Sequence, residues 1–375
     1  MDFALNESEK MVQNAAREFA QRSVLPLAAE IDRTAEFSRD LAAEMGKMGY
    51  YGLPFPPKYG GCGAGYIAYV LVIEQLSRAS VSAGAFVAVS VLSEESIFRY
   101  GTEDHKRKHL VPLTTGSIYG CFCFTEPATG SDPRAIATRA RPEGGEYIID
   151  GQKNFIAVAP LASQALVFAK DESGRVSAFV VPTSSDGFIL RESCETLGLR
   201  GLMPSVIYLD SVRVPQRNLI GEKGGGYNIL LEAISVERAG VAAQCIGVSQ
   251  AALDLAVDYA RQRVAYNKPI SDMPTIQWLL AEMASRAEAG RWLTYRTAFL
   301  RDSGCSIQNE SAVAKLFCSQ AAVDVTRMAM QIHGAYGTMK TMPIERLYRD
   351  AKMAELYVGV SEIQRAIIAN HVLKG

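Results

Sequence analysis

Acid–base chemistry in this chain falls to carboxylates before it falls to histidine. There are 40 Asp and Glu residues but only four histidines, His105, His109, His333 and His371, so histidine-based metal centres and triads have few possible members. No metal site is expected. The seven cysteines, Cys62, Cys121, Cys123, Cys194, Cys245, Cys305 and Cys318, are odd in number and hold no CxxC. They read as reduced thiols. Cys121 and Cys123 form a CxC, which on a strand faces one side and suits a core as two small apolar residues. The most informative stretch is Thr125-Glu126-Pro127-Ala128-Thr129-Gly130-Ser131-Asp132. A Pro–Gly–Ser loop after a strand exposes backbone N–H groups and hydroxyls, which suit a phosphate or the polar rim of a flat heterocycle. The same residues would equally make a plain Asx or Ser turn.

The elements that must position these residues change type twice along the chain. From about Glu7 to Leu110 apolar residues recur at helical spacing, as in Met11, Ala15 and Phe19, with Pro26 interrupting that run. Pro54-Phe55-Pro56-Pro57 with Gly60-Gly61 is a loop. From about Ile118 to Val214 short β-rich runs dominate: Tyr147-Ile148-Ile149, Leu166-Val167-Phe168, Val176 to Val181 and Val206 to Leu209. After Gly224-Gly225-Gly226 the helical period returns, with Leu253, Ala256, Ala260 and Val264 on one face. Segments near 227–265, 274–302, 310–334 and 343–372 predict a four-helix bundle. The expected fold is α+β, with an N-terminal helical domain (1–117), a central β-barrel domain (118–223) and a C-terminal helix bundle (224–375). That is not the alternating order of a doubly wound sheet. Gly221, Gly224, Gly225 and Gly226 lack the spacing of a dinucleotide fingerprint, and there is no Walker motif and no GxSxG.

Composition narrows the partners. With 39 Lys+Arg against 40 Asp+Glu among 375 residues, the formal charge is −1. A nucleic-acid binder or a polybasic membrane anchor would normally show a basic excess. The N-terminus has no apolar signal region, and no window approaches the ~18–20 uninterrupted apolar residues of a spanning helix. A cytoplasmic protein is expected, with no nucleic-acid or membrane partner.

The loop at Thr125–Asp132 resembles the TEPxxGSD signature of the acyl-CoA dehydrogenase family, and further motifs follow in order. Asp150-Gly151-Gln152-Lys153-Asn154-Phe155-Ile156 is similar to NGxKxWIT. Arg263, Tyr266 and Lys268 are similar to R-x-x-FGK, and Gln331-Ile332-His333-Gly334-Ala335-Tyr336-Gly337 to QxxGGxG. Arg349-Asp350-Ala351-Lys352 and Ser361-Glu362-Ile363-Gln364-Arg365 resemble the closing RDA and TSEIQR segments. The resemblance spans essentially the whole chain and implies bound FAD. It implies that Phe122, Phe124, Thr125, Gly130, Ser131, Phe155 and Ala157 surround the flavin and pyrophosphate, with Thr125 on the pyrimidine edge and Phe155 beside the ring. Without the resemblance, Phe155 and Tyr266 would read as core packing. Arg263 and the Gln331–Gly334 turn would reach the FAD of a neighbouring subunit; Tyr266, Ala335, Val360 and Glu362 would be further cofactor-binding positions, with Ala335 and Val360 near the adenine end. A homotetramer or dimer follows. Ser131, Arg238, Tyr357, Val358 and Gly359 would contact substrate.

The pattern is broken where the family most often carries its base. Its Y-E-G-T reads Tyr357-Val358-Gly359-Val360 here, and Val358 cannot take a proton. In isovaleryl-CoA and long-chain acyl-CoA dehydrogenases the carboxylate comes from an upstream helix and precedes an Arg, which matches Glu237-Arg238. Desolvation there would raise its pKa toward neutrality, where a general base works best. The plain alternative is a solvated helix charge. Glu94 and Glu95, on the segment resembling the wall of the acyl pocket, are secondary candidates, again with a solvated helix face as the alternative. Ala157 replaces the Thr that bonds flavin N5, Pro274 a Gln near the partner's FAD, Ala335 a Gly and Val360 a Thr. These departures imply a specialised member acting on a branched, cyclic or bulky acyl-CoA, with Glu237 taking the α-proton, β-hydride passing to flavin N5 and an electron-transfer flavoprotein as acceptor. Alternatives on the same scaffold are an acyl-ACP dehydrogenase, an enoyl-thioester reductase, a β-elimination enzyme or a catalytically silent flavin-binding protein.

Overall fold

The computed structural model describes residues 4–374. The chain opens with α1 (Glu7–Phe19), α2 (Ala28–Thr34), α3 (Arg39–Lys47), α4 (Gly65–Ala79) and α5 (Val81–Tyr100), then two short turns of helix, α6 (Glu103–His105) and α7 (Val111–Thr114). α1 starts at a capping box: the Glu9 N–H donates to Asn6 Oδ1 at 2.9 Å, and the Asn6 N–H donates to Glu9 Oε2 at 2.8 Å. The helix passes into a π turn over Ala20–Val24 and a 3₁₀ turn over Leu25–Leu27, where Pro26 removes a donor. α4 and α5 are buried almost all round, which is why both read as apolar on every face.

Eight strands follow: β1 (Gly120–Cys123), β2 (Arg139–Glu143), β3 (Glu146–Ile156), β4 (Gln164–Lys170), β5 (Val176–Pro182), β6 (Phe188–Ser193), β7 (Ser205–Pro215) and β8 (Leu219–Ile220). They form one sheet in the order β6-β7-β3-β2-β4-β5-β8, with β1 parallel to β4. The four β-rich runs of the sequence lie in β3, β4, β5 and β7. Cys121 and Cys123 sit buried on one face of β1, their sulfurs 3.7 Å apart, as the alternation predicts.

The last part holds α8 (Gly226–Gln262), a two-stranded hairpin of β9 (Val264–Ala265) and β10 (Lys268–Pro269), then α9 (Pro274–Asp302), α10 (Gln308–His333), α11 (Pro343–Met353) and α12 (Ser361–Lys374). Two expectations change. α8 stops at Gln262, so Val264 belongs to the hairpin and not to the helix face of Leu253. The predicted fourth helix over 343–372 is broken, because Val358 and Gly359 take left-handed φ values of 54° and 88°.

By length and mean hydropathy, α5 and α8 could each cross a membrane, although neither contains an uninterrupted apolar window. Both are largely buried within the fold. The main core joins α4, α5, α8 and α10; a second lies inside the sheet; a third welds α5, α8 and the sheet together.

Candidate active site

Glu237 lies deep inside α8 and is fully buried, so the solvated alternative is excluded. Neither carboxylate oxygen has a hydrogen-bond partner. Burial alone pushes its pKa well above the ordinary carboxylate range. What faces it follows from helical spacing. Gly240, one turn on, leaves room for Tyr69 of α4: a Cβ at Gly240 would sit 2.6 Å from the Tyr69 hydroxyl. Gln244, a further turn along the same face, accepts a hydrogen bond from the Tyr357 hydroxyl. The hydroxyls of Tyr69 and Tyr357 are both pushed far up, first by burial and then by the nearby Glu237 carboxylate. Glu237, Tyr69, Gln244 and Tyr357 are therefore neighbours in the helical core. Tyr69 and Gln244 carry no motif, and only the spacing of Gln244 from Glu237 hints at a shared face.

Arg238 points elsewhere. Its Nε and Nη1 lack partners, and burial lowers its pKa to about 10. It lies near Lys315 of α10, whose pKa falls to about 8, chiefly through burial, with Cys245 opposing the fall and Arg238 adding to it. Lys315 Nζ donates to the Gly359 carbonyl at 2.6 Å, and Gln364 Nε2 donates to the same carbonyl at 2.8 Å and to Val358 O at 3.3 Å. These bonds hold a β-branched residue in the left-handed region, a strained conformation that persists only where the surroundings impose it.

The loop Thr125–Asp132 follows β1 and runs beside the C-terminal end of β3. The Asn154 N–H donates to Thr125 O at 2.8 Å, and Glu126 and Thr129 exchange backbone bonds of 3.0 and 3.1 Å across a tight turn. Asp132 does make an Asx turn, accepting from the Arg134 N–H at 2.9 Å. A buried ion pair anchors the loop: Lys153 Nζ lies 2.7 Å from Glu126 Oε1. Period-two alternation places Lys153 on the inward face with Tyr147 and Ile149, a signal readable from the sequence. β3 has a register shift between Lys153 and Ile156, and inside it Phe155 takes φ 56° and is 62% exposed. Core packing of Phe155 is thus excluded. Phe122, Thr125 and Ala157 are half-buried, Phe124 is buried, and Gly130 and Ser131 are exposed.

A third group sits far away. Tyr266 and Asn267, both at positive φ, form the two-residue turn between β9 and β10 and leave Tyr266 91% exposed, so it too is not core. Arg263, Gln331, Gly334 and Ala335 are also exposed. Tyr259 stacks on His333 with centroids 4.4 Å apart, which sets the end of α10 beside the end of α8. His333 Nδ1 lies 2.8 Å from Ala329 O, a local helix contact. From Glu237 to the end of α8 is about 38 Å of helix. Val360 is half-buried and Glu362 exposed, both flanking the start of α12 near Gly359.

Glu94 and Glu95 are both buried, against the expectation of a solvated helix face, because α5 is enclosed on all sides. Glu95 accepts from Tyr66 Oη at 2.5 Å and Arg99 Nε at 2.8 Å and pairs with Arg301, a network that joins α4, α5 and α9.

Comparison with known proteins places this geometry. Models of the acyl-CoA dehydrogenase N-terminal, middle and C-terminal domains match residues 6–117, 121–212 and 224–373. The chain is 38% identical to the 3-(aryl)acrylate reductase of Clostridium sporogenes, over 98% of this chain and 99% of that protein. Butyryl-CoA dehydrogenase from Megasphaera elsdenii superposes with a TM-score of 0.97 at 32% identity, covering 100% of both chains. Acyl-CoA dehydrogenase complexed with FAD from Bacillus anthracis superposes at 0.93 with 29% identity, covering 99% of this chain and 67% of that one. Matched from end to end in sequence and in fold, the chain belongs to the acyl-CoA dehydrogenase family of flavin-dependent oxidoreductases.

Proposed function

We propose that this chain dehydrogenates a branched, cyclic or otherwise bulky acyl-CoA at its α,β-carbons, with Glu237 as the base. The observation that carries this is the unpartnered, fully buried carboxyl on the face of α8 that meets Tyr69 and Tyr357. A carboxyl so placed has a high affinity for a proton and no internal partner to share it with. Its neighbour in the fold, Val358, supplies no side-chain base but keeps its backbone N–H, which can polarise a thioester carbonyl. The 357–360 loop is held for that role by Lys315 and Gln364. A base on α8 leaves the side-chain volume near Val358 free for a bulky acyl group.

FAD fits the residues that would hold it. Gly130 and Gly334 have open space where a Cβ would stand, Thr129 Oγ1 is buried without a partner, and Phe155 offers an exposed ring on a strained bulge. Thr125, Ser131 and Phe155 would hold the flavin end; when bound, the flavin accepts the β-hydrogen as hydride. The separation of about 38 Å between Glu237 and the end of α8 supports assigning Arg263 and the Gln331–Gly334 turn to a neighbouring subunit's cofactor, and hence a homotetramer or dimer. An electron-transfer flavoprotein would then reoxidise the enzyme. A second reading, reduction of an enoyl thioester, is favoured by the similarity to the 3-(aryl)acrylate reductase.

Anaerobic mixing of the FAD-loaded protein with straight, branched and cyclic acyl-CoAs tests all of this. Bleaching of the flavin by the bulky substrates supports the proposal, and faster bleaching by straight chains removes the substrate class. Reoxidation of reduced flavin by enoyl-CoA, with no bleaching by any acyl-CoA, replaces it by the reductive reading. A monomer by light scattering at full FAD occupancy contradicts the shared cofactor site.

A further inference from the structure

The loop between α11 and α12 is held by its carbonyls alone. Lys315 Nζ of α10 donates to the Gly359 carbonyl at 2.6 Å, and Gln364 Nε2 of α12 donates to the same carbonyl at 2.8 Å and to the Val358 carbonyl at 3.3 Å. The N–H groups of Val358 and Gly359 donate to nothing among the described residues. With the carbonyls tied back, the N–H groups are left for a ligand. Tyr357 sets the loop against α8: its hydroxyl bonds Gln244, two turns and about 10 Å along the helix from Glu237.

Lys315 is a costly residue for this task. Its side chain is fully buried, and its ammonium donates to a neutral carbonyl in place of a carboxylate. The groups around it give little relief. α8 presents Arg238, a like charge, and the Cys245 thiol; the turn after α11 presents Glu355, and α12 presents Glu362. Glu355 is paired with Lys352, and the exposed Glu362 lies 3.8 Å from Arg365. Nor does the Gly359 carbonyl need the ammonium, because Gln364 already bonds it. What Lys315 adds is a charge-assisted bond, roughly twice as strong as a neutral one. It acts on a backbone that resists: β-branched Val358 is held at φ 54° and Gly359 at φ 88°.

We propose that Lys315 is a positioning residue whose buried charge is kept for turnover and not for stability: it imposes the strained backbone that presents the Val358 N–H to the thioester carbonyl. This rests on the acyl-thioester reading above. Because burial brings Lys315 down to about 8, the hold weakens to that of a neutral amine above that pH.

The test reads the carbonyl itself. Butyryl-CoA and cyclohexanecarboxyl-CoA, each labelled with ¹³C at the thioester carbonyl, are bound to the FAD-loaded Glu237→Gln protein, which removes turnover and the titration of the base. In difference infrared spectra at pH 7 the carbonyl band should lie below its position in free solution. It should move back as pH rises through about 8. Asp350, which lines a small cavity with Tyr357, titrates lower, at about 7, and Asp350→Asn should leave that shift in place. This series needs no change at Lys315, so it decides even where a Lys315 variant does not fold. Adding Lys315→Met should leave the band near its solution position at every pH. With Glu237 intact, Lys315→Met should slow flavin bleaching at saturating acyl-CoA about tenfold or more, with half-saturation little changed. Its melting temperature should stay level or rise. The gap to wild type should narrow above pH 8, where folded wild type has shed a proton that the unfolded chain still holds. A band that stays fixed through pH 8, wild-type bleaching in Lys315→Met, or a melting temperature that falls in step with activity overturns this inference alone. If neither acyl-CoA binds or bleaches the flavin, the acyl-thioester reading falls and takes this inference with it.

Discussion

Two buried carboxyls, Glu126 beside the sheet and Glu237 in the helical core, are treated in opposite ways. Glu126 accepts from Lys153 at 2.7 Å and from the N–H groups of Ala137 at 2.5 Å and Thr138 at 3.1 Å. Lys153, itself fully buried, also donates to Phe168 O at 2.7 Å and Phe124 O at 3.3 Å. Burial pulls Glu126 upward, but the Lys153 ammonium and these hydrogen bonds outweigh it and hold the carboxyl below its usual range. Glu237 has none of this, and burial acts on it unopposed. A buried charge with its bonding capacity filled fixes a loop in place. A buried carboxyl with its capacity open is poised to exchange a proton with something that is not protein.

The largest effect should come from removing the open group. Glu237→Gln should slow flavin bleaching by about 10²–10⁴-fold while FAD remains bound and the melting temperature does not fall. Because the base must be ionised and its pKa is raised, wild-type kcat/KM should climb with pH through a value well above that of an ordinary carboxylate. A variant that bleaches at the wild-type rate would place Glu237 with Glu126, as architecture. The paired group should behave in the reverse manner. Lys153→Met leaves the Glu126 carboxylate buried without its cation and should cost about 3–5 kcal/mol of stability in urea unfolding. Its effect on turnover should follow from disorder of the 125–132 loop, so bound FAD should fall in step with stability. Loss of turnover at unchanged stability would erase the contrast.

The order of helices, strands and helices is legible because long segments keep one period, and β3, β4, β5 and β7 stand out as runs of β-branched and aromatic residues. β2 and β6 do not: β2 reads Arg-Ala-Arg-Pro-Glu, and β6 is an exposed edge. Glu237 was legible only as a replacement for the missing base at Val358. α8 is apolar around most of its circumference, so periodicity could not say which way Glu237 faces. The burial of Glu94 and the arrival of Tyr69 depend on α4, α5 and α8 meeting across more than a hundred residues of sequence, which no local pattern encodes. The break at Val358 contradicts the preference of a β-branched residue, and only the adjacent Gly359 signals a turn.

Asp350 lies between the two extremes, and its effect is the most gradual, spread over several pH units. It is buried in α11 and has one strong bond, accepting from the Leu199 N–H at 2.7 Å. Burial raises its pKa from 3.8 to about 7, against a weaker downward pull from that bond. Between those values the folded chain keeps a proton that the unfolded chain has released. The stabilisation is therefore complete below the unfolded pKa and is lost as pH rises toward the folded one. Asp350→Asn keeps an acceptor for Leu199 and removes the titration. Relative to that variant, the wild type should lose up to about 1.4 kcal/mol of unfolding free energy per pH unit between pH 4 and 7 and no more above it. Urea midpoints of both proteins at pH 5, 6, 7 and 8 measure the difference. A flat difference would mean that the single backbone bond is enough to keep Asp350 ionised, and would move it to the side of Glu126.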